Sequence, residues 1–277
     1  MRPVILYRKI DEFDEYRYGN ELEFAEKYFY CTSSRLDLKE GDLVIARYSY
    51  LPYAQELEKD ILKIGAKPIN TYRQHRYIAD LKNWYEDLEG QTPKTWFQLS
   101  DVPITETGPF FLKGETNSKK FCWDSHAYAK DREAATNVFL NLLDDGLISE
   151  QQIYVRKFEK LVRYDTAPRG LPITKEFRIF VAYGEILTMG YYWSSHEDEL
   201  KEKKLFPDTN EIPFDWLNKC ISQVAPNATA FAIDVAQKED GSWIVIELND
   251  LTMSGLSCND TDTFYKNLYA AVIKNNA

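Results

Sequence analysis

The chain has 277 residues, of which 44% are hydrophobic and 28% are charged, and its formal net charge is −10. This composition is typical of a soluble globular protein with one large domain or two to three lobes. The negative charge argues against a protein that coats nucleic acid, although it leaves room for a local basic groove. No stretch approaches the roughly 18 consecutive apolar residues of a membrane span.

The cysteine pattern favours a reducing compartment. The four cysteines show no CxxC pair and no metal-ligand spacing, and they are Cys31, Cys122, Cys220 and Cys258. No signal peptide precedes them, so we expect free thiols in a cytoplasmic protein. The three histidines are scattered at positions 75, 126 and 196, which argues against a catalytic triad built on histidine.

The first segment alternates strands and helices. Strands are predicted at residues 4–7, 43–46 and 67–70. Helices are predicted weakly over residues 13–29 and clearly over residues 54–64, where an apolar stripe ends at Gly65. Alternation of this kind predicts a small α/β lobe, which we assign to residues 1–70.

The second segment, residues 71–150, places a lysine at the end of an apolar strand. A helix is predicted over residues 72–88, a strand after residues 91–97, a strand over 109–113 and a helix over 131–143. Lys113 ends the third of these elements, where it can reach a phosphate or simply extend to solvent. The polar loop 114–120 follows, and its backbone N–H groups with Lys119 and Lys120 could cradle phosphates.

The third segment, residues 151–277, carries arginines within apolar strands. A strand is predicted over residues 152–158, a hairpin over 176–182 and 185–193, an exposed loop over 194–211, and helices over 213–224 and 261–274. Arg156 and Arg178 lie inside two of these strands and need anionic partners. Those partners are either carboxylates such as Glu159 and Glu176 or the phosphates of a ligand.

A second hairpin near the C-terminus concentrates oxygen ligands. Asp240-Gly241 is a strong turn signal between two apolar runs, one of which contains Asp234 and the other Glu247 and Asn249. Residues two apart on a strand share a face, and pairing across the turn brings Asp234 toward the other two. Two carboxylates and an amide oxygen suit Mg²⁺, whereas the alternative is a solvated sheet face. The apolar neighbours favour metal binding or ion pairing, because a bare buried carboxylate is costly.

The order of these parts resembles the ATP-grasp superfamily. A strand with a terminal lysine and a polar loop is followed by a further strand, by Glu-Phe-Arg-Ile-Phe-Val at 176–181, and by Asp…Glu-x-Asn. The resemblance covers residues 65–275, and residues 1–64 take the place of the N-terminal lobe of that family. It implies an α/β and α+β protein with the ATP-grasp fold, in which an N-terminal α/β lobe and two α+β lobes enclose the nucleotide.

The resemblance also implies roles for individual residues. Lys113 and Arg178 would be catalytic, and Mg²⁺ would be bound by Asp234, Glu247 and Asn249. Residues that would bind ATP are Lys113, Lys119, Lys120, Tyr154, Val155, Arg156, Lys157, Phe158 and Arg178. Among these, residues 154–158 would form the linker strand over the adenine, and the loop 114–120 would form a lid.

The arginine-rich strands look most similar to the R2K clade, which has bacteriophage and bacterial members and includes the eukaryotic cell-division-cycle protein that helps assemble translation initiation factor 2. The implied activity is an ATP- and Mg²⁺-dependent carboxylate ligase whose acyl-phosphate is captured by an amine on a small molecule, peptide or protein. The alternatives are an ATP–Mg²⁺-binding assembly clamp without turnover and a ligase that acts on RNA ends. The substrate is expected between the nucleotide, the segment 250–258 and the N-terminal lobe.

Overall fold

The N-terminal part of the chain forms a parallel sheet. The computed structural model describes residues 1–8, 21–50 and 52–276. The sheet has the order β2-β1-β3-β4 and contains β1 (Arg2–Tyr7), β2 (Tyr30–Thr32), β3 (Asp42–Arg47) and β4 (Lys67–Pro68). Helices α1 (Glu21–Ala25) and α2 (Ala54–Lys63) belong to the same segment. The predicted strands and the helix over 54–64 are confirmed, whereas residues 13–20 of the weaker helix prediction lie outside the described residues.

Helix α2 stops where the sequence predicts. Its buried residues Leu57 and Ile61 pack on the sheet, and Gly65 follows with φ +82°. This left-handed conformation is strained for other residues, so glycine is the expected stop signal.

The middle segment forms an antiparallel sheet of order β5-β8-β6-β7. Its strands are β5 (Thr95–Trp96), β6 (Phe110–Gly114), β7 (Tyr128–Ala129) and β8 (Ile153–Lys157). Its helices are α3 (Tyr72–Ala79), α4 (Leu81–Trp84), α5 (Trp123–His126) and α6 (Arg132–Leu143). The prediction of one helix over 72–88 is wrong, because Asp80 is extended (φ −99°, ψ 114°) and caps α4 by accepting from the Lys82 N–H. The Asp80 carboxylate also accepts from the Tyr154 hydroxyl at 2.9 Å, which ties the break to β8.

The C-terminal segment holds a larger antiparallel sheet of order β12-β11-β13-β14. Its strands are β11 (Glu176–Ala182), β12 (Glu185–Tyr191), β13 (Ala230–Gln237) and β14 (Trp243–Asp250), and the hairpin of β9 (Arg163–Thr166) and β10 (Pro172–Thr174) precedes them. The helices are α7 (Glu197–Glu202), α8 (Phe214–Val224) and α9 (Thr261–Asn276). Both predicted hairpins are confirmed, and the β9–β10 hairpin was not predicted.

The prediction of an exposed loop over residues 194–211 is wrong in part. Residues 197–202 form α7, which has acidic residues in its first turn and Lys201 in its last turn, an arrangement that favours a helix. Lys203 also pairs with Glu199 at 2.6 Å, four residues earlier. Leu200 is 1% exposed and packs with Leu171 and Tyr191, so one apolar residue anchors a charged helix to the core.

The two faces of the C-terminal sheet have different surroundings. Phe177, Ile179 and Val181 project from β11 into a core that includes α8. The alternate residues of β11 project to the other face, where Phe180 packs beside α9 and the N-terminal sheet. Glu176 and Arg178 lie on that second face, because side chains alternate along a strand.

A bulge in β14 changes the pairing of β13 and β14 next to Asp234. Asp234 pairs with Glu247, whereas the next residue, Val235, pairs with Val245, so Ile246 is the extra residue. Bulges of this kind redirect side chains and are frequent beside active sites. Here the bulge leaves Asp234 and Glu247 directly opposite each other across the two strands.

Buried hydrogen bonds join the N-terminal segment to the C-terminal sheet. Arg47 of β3 is 7% exposed and donates to the carbonyl oxygens of Leu251 and Ser254. The amide of Asn70 donates to the Ala230 carbonyl at 2.6 Å. The Arg47 bonds hold the segment after β14, and the Asn70 bond holds the first residue of β13.

No helix in the described part of the chain is long and apolar enough to span a membrane. The division at residues 70 and 150 stays a prediction. Strand β8 completes the sheet of the middle segment, so we propose that the second boundary lies after residue 158.

Candidate functional site

A cavity of about 720 Å³ lies between the middle sheet and the C-terminal sheet. Its walls come from β6, β8, β11, β14, the segment 118–123 and the β9–β10 hairpin. Residues far apart in sequence therefore meet at one place. A cleft of this size that holds a few converging polar groups is the usual form of a small-molecule site.

An ion pair between Lys113 and Glu247 forms part of the cavity wall. Lys113, at the end of β6, is 3% exposed and donates to the Glu247 carboxylate. Burial alone would raise the pKa of Glu247, but the nearby Lys113 ammonium outweighs it and the pKa is lowered. Glu247 is therefore a carboxylate at neutral pH, although its strand is largely buried.

A second buried ion pair lies next to the first one. Arg178 donates through Nε and Nη2 to both carboxylate oxygens of Asp234, at 2.9 and 2.8 Å. Asp234 is 1% exposed, and the Asn249 amide donates to it at 3.0 Å. Burial lowers the pKa of Arg178, yet the Asp234 charge more than offsets this and the pKa is raised overall. The carboxylate partner that the sequence left open for Arg178 is thus Asp234, and neither Glu176 nor Glu159.

Arg178 also holds the segment that follows β14. Its Nη1 donates to the Gly255 carbonyl at 2.9 Å, and Asn259 donates to the Arg178 carbonyl at 3.1 Å. Gly190 lies opposite Arg178 on β12, and a Cβ there would come within 2.5 Å of the backbone of Cys258 and Asn259. Glycine at this position lets the segment cross the sheet close to Arg178.

Arg156 is part of the cavity wall, and its hydrogen-bond partners are all neutral. It is 4% exposed and donates to the Ile246 carbonyl and the Thr92 hydroxyl, both at 2.7 Å, and to the Thr95 hydroxyl at 3.3 Å. Burial lowers its pKa to about 10, which leaves the guanidinium charged at neutral pH. No carboxylate of the described residues lies within ion-pairing distance of Arg156, so an anionic ligand would complement it.

Glu176 lies in the cavity wall, although the sequence reasoning named it only as a possible partner of the strand arginines. It is 5% exposed, lines the cavity and accepts from the Thr174 hydroxyl at 3.3 Å. Burial raises its pKa to about 7, partly offset by Lys120. The signal was present, since Glu176 lies two residues before Arg178 and the alternation of a strand places both on one face.

Aromatic side chains line another part of the cavity. The rings of Trp123 and Tyr128 stack with their centroids 5.8 Å apart and an angle of 6° between their planes. Phe158 meets the edge of both rings at 6.1 and 5.0 Å. Pro93 and Ile246 contribute apolar surface to the same cavity. Flat apolar surfaces of this kind suit a planar ring, and the sequence reasoning found Phe158 but neither of the other two aromatic residues.

The two lysines of the predicted loop take different positions. Lys119 pairs with Asp145 at 2.9 Å, away from the cavity lining. Lys120 lines the cavity and donates to the Tyr192 hydroxyl at 2.5 Å. Burial lowers the pKa of Lys120, but Tyr192 and Glu176 attract its charge and the pKa is raised overall.

The structure brings part of the predicted set of site residues to the cavity wall. The predicted residues that line it are Lys113, Lys120, Arg156, Lys157, Phe158 and Glu247. Arg178, Asp234 and Asn249 are outside the lining and are joined to each other by the hydrogen bonds described above, with Asp234 opposite Glu247 on the neighbouring strand. The side chains of Tyr154 and Val155 are buried in two different cores, so only the backbone of these residues is available to a ligand.

The chemistry of Asp234, Glu247 and Asn249 fits Mg²⁺. Asp234 and Glu247 lie opposite each other on adjacent strands, and the Asn249 amide N–H donates to Asp234, so two carboxylates and one amide lie close together. Their charges are offset by Arg178 and Lys113. The described residues contain no cluster of three or more His, Cys, Asp or Glu side chains suited to a metal. Two carboxylates and one amide suit a cation that takes hard oxygen ligands and keeps other coordination positions for phosphate oxygens and water, as Mg²⁺ does.

The fold is shared with known ATP-grasp structures. The D-cycloserine synthetase DcsG superposes with a TM-score of 0.64 at 12% identity, covering 97% of this chain and 99% of that chain. The D-alanine–D-alanine ligase from Bacillus anthracis, complexed with ATP, gives 0.58 at 14% identity over 98% and 95% of the chains. The ATP-grasp ligase PsnB, complexed with the precursor peptide PsnA2 and AMPPNP, gives 0.59 at 9% identity over 98% of each chain. At these identities the likeness establishes the fold alone.

The family follows from the sequence itself. No curated protein sequence matches the chain significantly. The family model described as ATP-grasp domain, R2K clade family 3, matches residues 99–268, which include every predicted catalytic and metal-binding residue. The match covers more than half of the chain and agrees with the sheet topology and with the superpositions. The chain belongs to the R2K clade of ATP-grasp proteins, family 3.

Proposed function

We propose that this protein is an ATP- and Mg²⁺-dependent carboxylate ligase. The observation that carries the proposal is the part of the cavity wall formed by Lys113, Arg156 and Glu247. The Arg178–Asp234 pair lies beside it. The wall combines oxygen donors for a hard cation with fixed positive charge for phosphate groups. The acceptor is a small molecule, a peptide or a protein.

In the proposed reaction, a substrate carboxylate attacks the γ-phosphate of ATP and ADP leaves, which yields an acyl-phosphate. An amine then attacks the acyl carbon and displaces inorganic phosphate. Lys113, Lys120 and Arg178 would hold the phosphate oxygens and stabilise the negative charge that develops on them. No side chain has to become a covalent nucleophile, in agreement with the scattered histidines.

Asp234, Glu247 and Asn249 would hold the metal. When bound, Mg²⁺ neutralises charge on the phosphate oxygens. Arg178 and Lys113 would keep the two carboxylates ionised and oriented for this role. Trp123, Tyr128 and Phe158 would bind the adenine ring by stacking and edge contacts, and would exclude water from it.

The substrate would lie beyond the γ-phosphate, beside the segment 250–258. Arg47 from the N-terminal lobe and Arg178 from β11 both donate to backbone carbonyls of this segment. The segment is therefore held in one position by two arginines, as a surface that orients a substrate requires. The superposed ligases, one of which is complexed with a precursor peptide, support an amino-acid or peptide acceptor.

The metal site is tested by Glu247→Gln, which keeps the size of the side chain and removes its charge. We expect Mg²⁺-dependent binding of AMPPNP, measured by titration calorimetry, to weaken on the order of 10- to 100-fold or more, since even indirect metal partners contribute this much. Glu239→Gln is the matched control, because Glu239 lines the outer part of the same cavity. Equal affinity of Glu247→Gln and the wild-type protein would refute the assignment.

Turnover separates a ligase from an ATP-binding clamp. A ligase releases ADP and phosphate at a rate that depends on added carboxylate and amine, and mixtures of amino acids and peptides are suitable probes. Tight AMPPNP binding without ADP release across these mixtures would favour the clamp. A ligase for RNA ends is the other alternative, because Arg156, Lys157 and Arg163 line the cavity, although Glu159 and Glu239 line it as well. Binding of RNA that weakens as salt is added would support it, and a lack of RNA affinity at every salt concentration would exclude it.

A further inference from the structure

Tyr192 contacts two of the cations that the proposed function assigns to phosphate binding. It follows β12, and its backbone N–H donates to the Glu176 carbonyl at 2.9 Å, which continues the pairing with β11. The Lys120 ammonium donates to its hydroxyl at 2.5 Å and lies 4.2 Å from its ring centroid. The Arg178 guanidinium carbon lies 4.8 Å from the same centroid.

The Tyr192 ring stabilises the positive charges of both Lys120 and Arg178. The face of an aromatic ring attracts cations, and this attraction grows where water is excluded. Burial raises the pKa of Tyr192, so the phenol stays protonated and neutral near pH 7. A neutral hydroxyl accepts one N–H of Lys120 and leaves the other two N–H groups for a ligand.

The segment that carries Lys120 is anchored at two points. Lys119 pairs with Asp145 in the middle segment, and the adjacent Lys120 reaches Tyr192 on the C-terminal sheet. Trp193, next to Tyr192, adds a third aromatic contact 4.7 Å from the Lys120 ammonium. Consecutive lysines therefore tie residues 119–120 to the middle segment on one side and to the C-terminal sheet on the other.

We propose that Tyr192 is a positioning residue that holds Lys120 and Arg178 in the arrangement needed to grip the terminal phosphates of the nucleotide. This inference rests on the proposed ATP site and extends it to a residue outside the cavity lining. Tyr192 acts through the two cations and makes no contact with the nucleotide itself. Its effect is therefore specific for ligands that carry β- and γ-phosphates.

The test compares Tyr192→Phe and Tyr192→Leu in the full chain, with AMPPNP and AMP as probes in the presence of Mg²⁺. The Phe variant keeps the ring and loses the hydroxyl, whereas the Leu variant loses both. From the strengths of a hydrogen bond and a cation–π contact, we expect AMPPNP to bind about 3-fold more weakly to the Phe variant and about 10-fold or more weakly to the Leu variant. The affinity for AMP should change less than about 2-fold, because AMP lacks the phosphates that the two cations would hold.

Tyr191→Phe is the matched control. Tyr191 is the neighbouring residue, and its hydroxyl donates to the Thr174 carbonyl at 3.1 Å without touching either cation. This variant should bind AMPPNP like the wild-type protein. Equal weakening of AMPPNP and AMP by Tyr192→Leu, or no weakening of either, would overturn the proposal.

A second measurement separates this inference from the proposed function. In the ligand-free protein, hydrogen exchange in residues 115–122 should be faster in Tyr192→Leu than in the wild-type protein, because a docking contact is lost. If the wild-type protein binds neither nucleotide, the proposed function fails, and the exchange rates still decide whether Tyr192 anchors the segment. Unchanged exchange in residues 115–122 would count against the anchor.

Discussion

The two faces of the sheet formed by β11, β13 and β14 are both buried, yet they are stabilised in opposite ways. One face carries Phe177, Ile179 and Val181, which pack against apolar neighbours. The face toward the cavity carries Glu176 and Arg178, which are 5% and 8% exposed and depend on charged or hydrogen-bonding partners. Burial therefore does not distinguish a structural face from a functional one. The difference lies in whether each side chain is satisfied by packing alone or needs an oppositely charged group.

The largest effect should come from breaking the buried ion pair on the cavity face. Arg178→Met removes the guanidinium and leaves Asp234 buried without its partner. We expect a loss of about 3–5 kcal/mol in the free energy of unfolding, measured with urea, because an uncompensated buried charge is costly.

The double variant Arg178→Met/Asp234→Leu provides the control. It replaces both charges with apolar side chains, and it should recover most of the lost stability while leaving AMPPNP binding impaired. A double variant as unstable as the sum of the two single variants would show that packing, not the unpaired charge, dominates on this face.

A smaller and pH-dependent effect should come from Glu176→Gln. Burial raises the pKa of Glu176 from 4.5 to about 7. Because the folded protein binds this proton more tightly than the unfolded chain, the raised pKa adds to the stability of the folded state. The added stability is complete below pH 4.5 and is lost as the pH rises through about 7. We therefore expect Glu176→Gln to gain stability relative to the wild-type protein between pH 5 and pH 8, by on the order of 2–3 kcal/mol at 1.36 kcal/mol per pKa unit.

Urea unfolding of both proteins at pH 5, 6, 7 and 8 measures this difference. The apolar face offers a reference, since the β11 residues on that face are Phe177, Ile179 and Val181, which do not titrate. A stability difference between Glu176→Gln and wild type that stays constant across this range would contradict the raised pKa of Glu176.

The smallest effect should come from the apolar face. Ile179 is 0% exposed, and Ile179→Val removes one methylene group from the core shared with α8. We expect a loss of about 0.5–1.5 kcal/mol at every pH, with no change in AMPPNP affinity. A marked loss of nucleotide binding in this variant would mean that packing on one face controls the geometry of the other.

Local sequence patterns predicted most elements and the hairpin that brings Asp234, Glu247 and Asn249 together. The apolar runs around Asp234 and Glu247, with the Asp240-Gly241 turn between them, indicated the β13–β14 hairpin, and Gly241 adopts φ +85° in that turn. Lys113 at the end of an apolar strand was likewise visible from sequence order. These features depend on neighbours within about 20 residues, where strand alternation and turn preferences apply.

Other features could not be predicted from local patterns. The placement of the helix over 197–202 depends on Leu200 reaching the core around Tyr191, and the break at Asp80 depends on the Tyr154 hydroxyl. Local charge pairs already favour the helix over 197–202, and the Leu200 contact holds it to the core. At Asp80, a distant contact overrides the local preference for one continuous helix. Helix boundaries and short elements are most sensitive to such contacts, because few local hydrogen bonds hold them.

The sequence by itself determined which residues share a face and which family the chain belongs to, because alternation along strands and motif order are local properties. Only the tertiary structure decided the partners of the charged groups. Lys113 meets Glu247 across 134 residues, and Lys120 meets Tyr192 across 72. A buried charge requires a partner, but the local sequence around it does not show which residue that partner is. The partner is determined by how the middle sheet and the C-terminal sheet pack around the cavity.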